Sequence, residues 1–211
     1  MDMTVRKSFL AFIVLLFLTA VCFGNPEEMK DFENDEVGTL PSGFVSYKGE
    51  WKVIHSEGDV TTSKVLAQLA ANSGTTFNMV LWDTAEYQQI DLSVKIKAVA
   101  GQQDQGGGLI WRAKDENNYY IARTNPLEEN YRVYKVQQGK RIQLQSADVK
   151  SSPGWHHLRI VMKEGHIEGY WDGTKYLDVA DDTFTVAGKV GLWTKADAQT
   201  YFDDFTVHEI R

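Results

Sequence analysis

The chain of 211 residues holds a single cysteine, Cys22, and only four prolines. One thiol excludes an internal disulfide framework, a thiolate metal cluster and a Cys-x-x-Cys redox pair. Positive charge is also scarce. Twenty-two Lys and Arg stand against 29 Asp and Glu, giving a formal charge of −7 and a pI near 5.2. That balance argues against nucleic acid or an anionic membrane surface as partner, since both repel a net anion. The one long apolar run, Phe9 to Val21, falls short of the roughly 20 residues that span a bilayer, so membrane insertion is not expected.

That run suits export instead. Arg6 and Lys7 precede it, and Cys22-Phe23-Gly24 then Asn25-Pro26-Glu27 follow it, the layout of a secretory signal peptide cleaved after Gly24. Residues 1–24 are read as that signal peptide, and the mature protein as secreted or periplasmic. The rival reading is a lipoprotein anchored through Cys22, which Thr19 and Val21 fit poorly. Cleavage would remove Asp2, Arg6 and Lys7 and move the net charge from −7 to −8.

Residues 25–39 form an acidic lead-in, with Glu27, Glu28, Asp31, Glu33, Asp35 and Glu36 and few apolar partners. From residue 40 onward the chain reads as strands. Ile90, Leu92, Val94, Ile96 and Ala98 alternate with polar neighbours, the period of a half-buried strand. Phe44 to Ile54 alternates around Gly49 and predicts a strand, a turn and a second strand. Lys64 to Ala71 favours helix by propensity, with Ser63 as cap, but it is short and lies among strands; it is read as a strand. Asp172-Gly173 predicts a two-residue hairpin turn. About a dozen short strands and no clear helix predict an all-β domain over residues 40–211, an antiparallel two-sheet jelly-roll sandwich. Its length can bury a core without disulfide or metal staples.

The richest stretch chemically is Asp104 to Val136, DQGGGLIWRAKDENNYYIARTNPLEENYRVYKV. Sugar recognition needs aromatic faces for C–H stacking and planar polar groups for hydroxyls. Trp111, Tyr120, Tyr134 and Trp193 are candidate platforms; Arg112, Arg123, Asn125, Glu128, Asn130 and Lys135 are candidate polar partners. Arg123-x-Asn125 and Glu128-x-Asn130 flank a loop containing Pro126, and each pair shares a face in extended backbone. The competing reading makes the aromatics core residues and the polar set a network that locks the loop.

Gly154-Trp155-His156-x-Leu158 followed by Tyr170-x-Asp172-Gly173 resembles the laminin-G-type hairpin region. Lys64 to Gln68, Asp104 to Arg112, Asn118-Tyr119-Tyr120, Leu127-Glu128-x-Asn130 and Lys189 to Asp197 running to Tyr201-Phe202-Asp203-Asp204-Phe205 extend the likeness over about residues 40–209. Together they resemble the concanavalin A-like lectin/glucanase superfamily, and within it the secreted bacterial branch named for 3-keto-disaccharide hydrolase or family-16-like domains. The resemblance implies a jelly roll and a glycan or small saccharide as partner, with a monomer as the assumed state.

Three functions stay open. One is a carbohydrate-binding domain of a glycan-processing system. The second is a hydrolase or lyase on 3-keto-glycosides, with Glu128 or Asp197 abstracting a proton and Arg112, Arg123 or Lys195 stabilising the oxyanion. The third is a laminin-G-like adhesion module. Retaining family-16 catalysis is not expected. It needs two carboxylates about 5–5.5 Å apart, whereas Glu128-Glu129 and Asp203-Asp204 are adjacent and face apart in a strand. No motif requires a cofactor. The resemblance adds a structural calcium ion, with Glu33, the Gly38 region and Asp203 or Asp204 as ligands, and His156, His157 or Asp203 as ligands should a divalent ion take part in catalysis.

Overall fold

Alternation decides the architecture. In the segment Ile90–Ala100 the residues Ile90, Leu92, Val94 and Ile96 are buried, while their neighbours Asp91, Ser93 and Lys95 face out. The computed structural model describes residues 27–56 and 63–210, so the signal peptide and Cys22 lie outside the described residues. Among these residues there are fifteen strands and no helix. They are β1 (Glu28–Lys30), β2 (Phe44–Lys48), β3 (Trp51–His55), β4 (Lys64–Gln68), β5 (Phe77–Tyr87), β6 (Ile90–Ala100), β7 (Gly107–Asp115) and β8 (Asn118–Asn125). The remainder are β9 (Asn130–Gln137), β10 (Lys140–Asp148), β11 (His156–Lys163), β12 (His166–Trp171), β13 (Thr174–Ala180), β14 (Gly188–Lys195) and β15 (Gln199–Glu209).

Two antiparallel sheets face each other as a jelly-roll sandwich. Sheet I runs β13-β12-β11-β6-β15-β4-β3, with β1 added on β15; sheet II runs β10-β9-β8-β7-β14-β5-β2. The inner faces share one core, including Leu92, Leu109, Trp111, Tyr120, Ile160, Leu192 and Phe202. Sheet II carries a second apolar cluster on its outer face, built from Met79, Leu81, Ile110, Tyr119, Ile121, Tyr134, Val136 and Trp193. Gly108 and Gly191 permit the close strand packing beneath it: a Cβ at Gly108 would lie 1.8 Å from the Ala122 carbonyl oxygen, and one at Gly191 2.2 Å from that of Val80.

The hairpin turn at Asp172-Gly173 is present, with φ of 49° and 78° and Trp171 paired to Thr174. Lys64–Gln68 is a strand despite its helical propensity, because it fills the position between β3 and β15 and buries Val65, Leu66 and Ala67. One expectation changes. The acidic lead-in is in part structural: Glu28–Lys30 pairs with Phe205–Val207, and Phe32 is fully buried in the core. Phe44–Ile54 is, as expected, a strand, a turn and a second strand. Its strands join different sheets, β2 pairing with β5 and β3 with β4, and Gly49 at φ 100° lets the chain cross between them.

Candidate functional site

The sequence-derived candidates divide between the two faces of sheet II, and four of them close one end of the sandwich. Trp111 and Tyr120 point inward, fully buried and stacked with centroids 5.5 Å apart. The Tyr120 hydroxyl donates to Asp181 Oδ1 at 2.6 Å, and Lys135 Nζ donates to Asp181 Oδ2 and Thr183 Oγ1, each at 2.7 Å. Burial pushes the Asp181 carboxyl up, but Lys135, Thr183 and Tyr120 outweigh it and hold it down at about 2. Arg112 sits in a bulge at φ 48°, buried, donating Nε to Gln88 O at 2.9 Å and NH1 to Phe184 O. These residues clamp the 181–184 segment to the sheet and leave no open surface for a ligand.

A second group does converge, at the β8–β9 loop. Arg123 NH2 donates to Glu128 Oε2 at 2.9 Å and to the Tyr134 hydroxyl at 3.0 Å, and its NH1 donates to Asn130 Oδ1. Asn130 Nδ2 and Arg132 NH1 reach the same Glu128 oxygen at 3.1 Å. Asn125 Nδ2 donates to Asp104 Oδ1 at 2.8 Å, and Lys195 Nζ donates to Asp104 Oδ2 at 2.9 Å. The Asp197 carboxylate caps the backbone N–H groups of Gln102, Gln103 and Asp104 at 2.8 to 3.1 Å. Most of this set therefore locks the loops to one another. Burial raises the pKa of Glu128, but Asn130, Arg123 and Arg132 bring it below the ordinary value; at Asp197 three backbone N–H groups do the same. Carboxylates held low are weak general bases near neutrality. Neither stands beside a free oxyanion donor.

The open chemistry lies on the outer face of sheet II, largely on residues that pattern reading passes over. Tyr47, Lys48, Thr76, Phe77, Met79, Glu116 and Tyr119 line a depression of about 270 Å³. Strands β2 and β8 lie four places apart in the sheet, roughly 19 Å if it were flat at about 4.8 Å per strand. Both contribute to this one depression, so the sheet curls around it. Beside it, the Arg141 guanidinium packs over the rings of Tyr134, Phe77 and Trp193 at 4.6, 5.3 and 5.8 Å. Phe77 and Trp193 lie 5.3 Å apart.

Three donors in this cluster are buried without a hydrogen-bond partner: Tyr119 OH, Trp193 Nε1 and Arg141 NH1. The Trp193 N–H lies beside the Tyr119 oxygen without reaching hydrogen-bond geometry, and burial drives the Tyr119 hydroxyl well above its ordinary pKa. An unmet buried donor costs about 1–3 kcal/mol. Alternation within β8 was the available signal, since it puts Tyr119, rather than Tyr120, on the face of Arg123. Arg141 had no local signal; pairing of Arg141 with Val136 brings it there.

The two histidines face apart, as strand neighbours do. His156 stacks on Trp171 at 4.6 Å and contacts Asp172 Oδ2 at 2.7 Å, while His157 is exposed. The calcium ligand set does not fit as expected. Lys64 Nζ donates to the carbonyls of Glu33 and Asp35 at 2.9 Å, Glu33 Oε1 accepts from Lys64 N, and Gly38 N bonds to Val53 O. Lys95 Nζ lies 2.6 Å from Asp204 Oδ2. Lys64 and Lys95 thus compete with a hard ion for the Glu33 and Asp35 carbonyls and for Asp204, while Asp203 Oδ1 accepts from the backbone N–H of Asp204. Among the described residues only His166, Glu168 and Asp178 gather closely enough to ligate, and Lys175 already bridges the two carboxylates.

No protein-family model and no curated protein matches the chain. Solved structures do. The carbohydrate-binding module CBM66 from Bacillus subtilis superposes with a TM-score of 0.66 at 20% identity, covering 79% of this chain and 96% of that one. Domain 4 of AbnA, a GH43 extracellular arabinanase from Geobacillus stearothermophilus in complex with arabinotriose, gives 0.58 at 14% identity, with 86% and 90% covered. The GH43 protein BlXynB from Bacillus licheniformis gives 0.61 at 16% identity over 86% of this chain, which spans 39% of its length. At these identities the likeness is one of fold: the chain is a jelly-roll sandwich of the kind found in these modules.

Proposed function

We propose that this domain binds a saccharide on the outer face of sheet II and serves a glycan-processing system outside the cytoplasm. The carrying observation is the depression beside Arg141, with its aromatic walls Tyr47, Phe77 and Tyr119. Aromatic faces supply stacking area for sugar C–H surfaces, and Lys48, Thr76 and Glu116 in the lining supply polar groups for hydroxyls. Support comes from two fold neighbours, one named as a carbohydrate-binding module and one holding arabinotriose. Export rests on the N-terminal sequence, and N-terminal sequencing of the mature protein should begin at Asn25.

Isothermal titration and affinity electrophoresis against plant and bacterial polysaccharides test the binding. The wild-type domain is expected to be retarded by at least one of them. Replacing both Tyr47 and Phe77 by Ala should weaken that binding about tenfold or more while the protein stays folded, since Tyr47 is 40% exposed and Phe77 is only part-buried. Silence of the wild type across the whole panel would overturn the reading.

A further inference from the structure

The donors at this site differ in kind from what a neutral sugar asks for. Arg and Trp side chains donate only, and the third group, the Tyr119 hydroxyl, both donates and accepts. Sugar hydroxyls both donate and accept, whereas a carboxylate accepts only. Arg141 itself is unusual within the chain. Arg112, Arg123, Arg132 and Arg159 each donate to a carbonyl, amide, hydroxyl or carboxylate oxygen. Among the described residues Arg141 forms no ion pair, and its only neighbours of note are the three rings it covers. In a chain of net charge −7, an arginine held on aromatic faces with no acid beside it is poised for an anion from outside.

The charges around it allow this. Glu128 is already bridged by Arg123 and Arg132, and Asp104 by Lys195. Asp83 is paired with Lys189. The depression itself is lined by one acid, Glu116, and one base, Lys48. We infer that the site selects an acidic saccharide, a uronate-bearing glycan whose carboxylate is received by the part-exposed Arg141. The planar guanidinium matches the carboxylate geometrically, and the rings keep it desolvated and oriented.

This inference rests on the saccharide-binding reading, and the test separates the two. Oligogalacturonides and glucuronoxylan oligosaccharides are titrated beside their methyl-esterified forms, which keep the sugar and lose the charge. The free acids should bind about tenfold tighter than the esters, with the gap narrowing as salt is raised. Arg141→Gln should erase the gap, bringing the acid down to the affinity of its ester in the same variant, and Arg141→Lys should keep part of it; thermal melts check that each variant is folded. Equal affinity of the wild type for acid and ester, measured without any variant, overturns the inference while leaving saccharide binding standing. A preference for acid that survives in Arg141→Gln overturns the role of Arg141. Binding of neither form, nor of any neutral glycan, removes both readings together.

Discussion

The two outer faces of the sandwich use the same residue types to opposite ends. On sheet I, Arg159 grips Asp91 through two bonds of 2.6 and 2.5 Å and lies 5.0 Å over the Tyr170 ring. Tyr170 in turn donates to Glu168, and Lys175 links Glu168 to Asp178. Every group in that ladder has a partner. On sheet II, Arg141 also lies over aromatic rings, but its NH1, the Tyr119 hydroxyl and the Trp193 indole N–H have none. A surface whose polar groups satisfy one another offers a ligand little, because binding must break bonds of equal worth. Buried donors left unmet stabilise a fold less than satisfied ones, so the outer face of sheet II is the less self-sufficient of the two. It is also the face proposed above to bind saccharide.

Truncating Trp193 should break the contrast most. Trp193→Ala removes a ring that is 1% exposed and supports both Phe77 and Arg141, so urea unfolding should show a loss of about 3 kcal/mol. Tyr170→Ala on the other face should cost well under half of that.

Sheet I has one ill-matched group. Burial, with Asp204 and Glu33 nearby, pushes the Asp203 carboxyl up to about 6 despite a bond from Asp204 N and the presence of Lys95. Its folded pKa lies above the unfolded value near 3.8. The folded state therefore holds the proton more tightly, and this stabilisation is present below about pH 4 and lost as pH rises through about 6. Asp203→Asn should flatten that loss and raise stability at pH 7.5 by on the order of 1 kcal/mol, after discounting for partial exposure. Chemical denaturation across pH 4 to 8 measures it, and an unchanged profile would show the carboxyl to be ordinary.

A smaller effect is expected from Arg159→Ala, about 0.5–1 kcal/mol, because the pair with Asp91 is bidentate yet partly solvated. The smallest is the most informative. Tyr119→Phe should leave stability unchanged or slightly raised, since it deletes a hydroxyl with no partner, yet lower saccharide affinity several-fold. Tyr170→Phe should do the reverse: a few tenths of a kcal/mol lost with the Glu168 bond, and no change in binding. If Tyr119→Phe destabilises the domain, its hydroxyl has a partner in solution and the contrast between the faces weakens.

Much of the fold was readable from the chain. Ile90 to Ala98 alternate without a break, and Asp172-Gly173 has few conformations open to it other than the turn it makes. The pairing of Arg123-x-Asn125 with Glu128-x-Asn130 across a short loop was also readable, because both pairs sit a few residues apart on one face. Their role stood between sugar contact and a network that locks the loop, and only geometry favours the lock, with Arg123 NH2, Asn130 Nδ2 and Arg132 NH1 meeting on Glu128 Oε2. Tyr120 and Tyr134 look alike in sequence, yet the first is core and the second faces out. Phe44 to Ile54 was readable as strand, turn and strand, but not that the two strands join different sheets.

The sequence by itself determined an all-β sandwich, the strands that build it and an acidic, thiol-free domain, because period-two alternation and turn chemistry act over a few residues. Tertiary structure alone decided where the unmet donors gather. Phe77, Tyr119, Tyr134, Arg141 and Trp193 lie on five different strands, and only strand order, register and the curl of sheet II bring them together. No local pattern encodes that meeting, since it depends on which strand lies beside which.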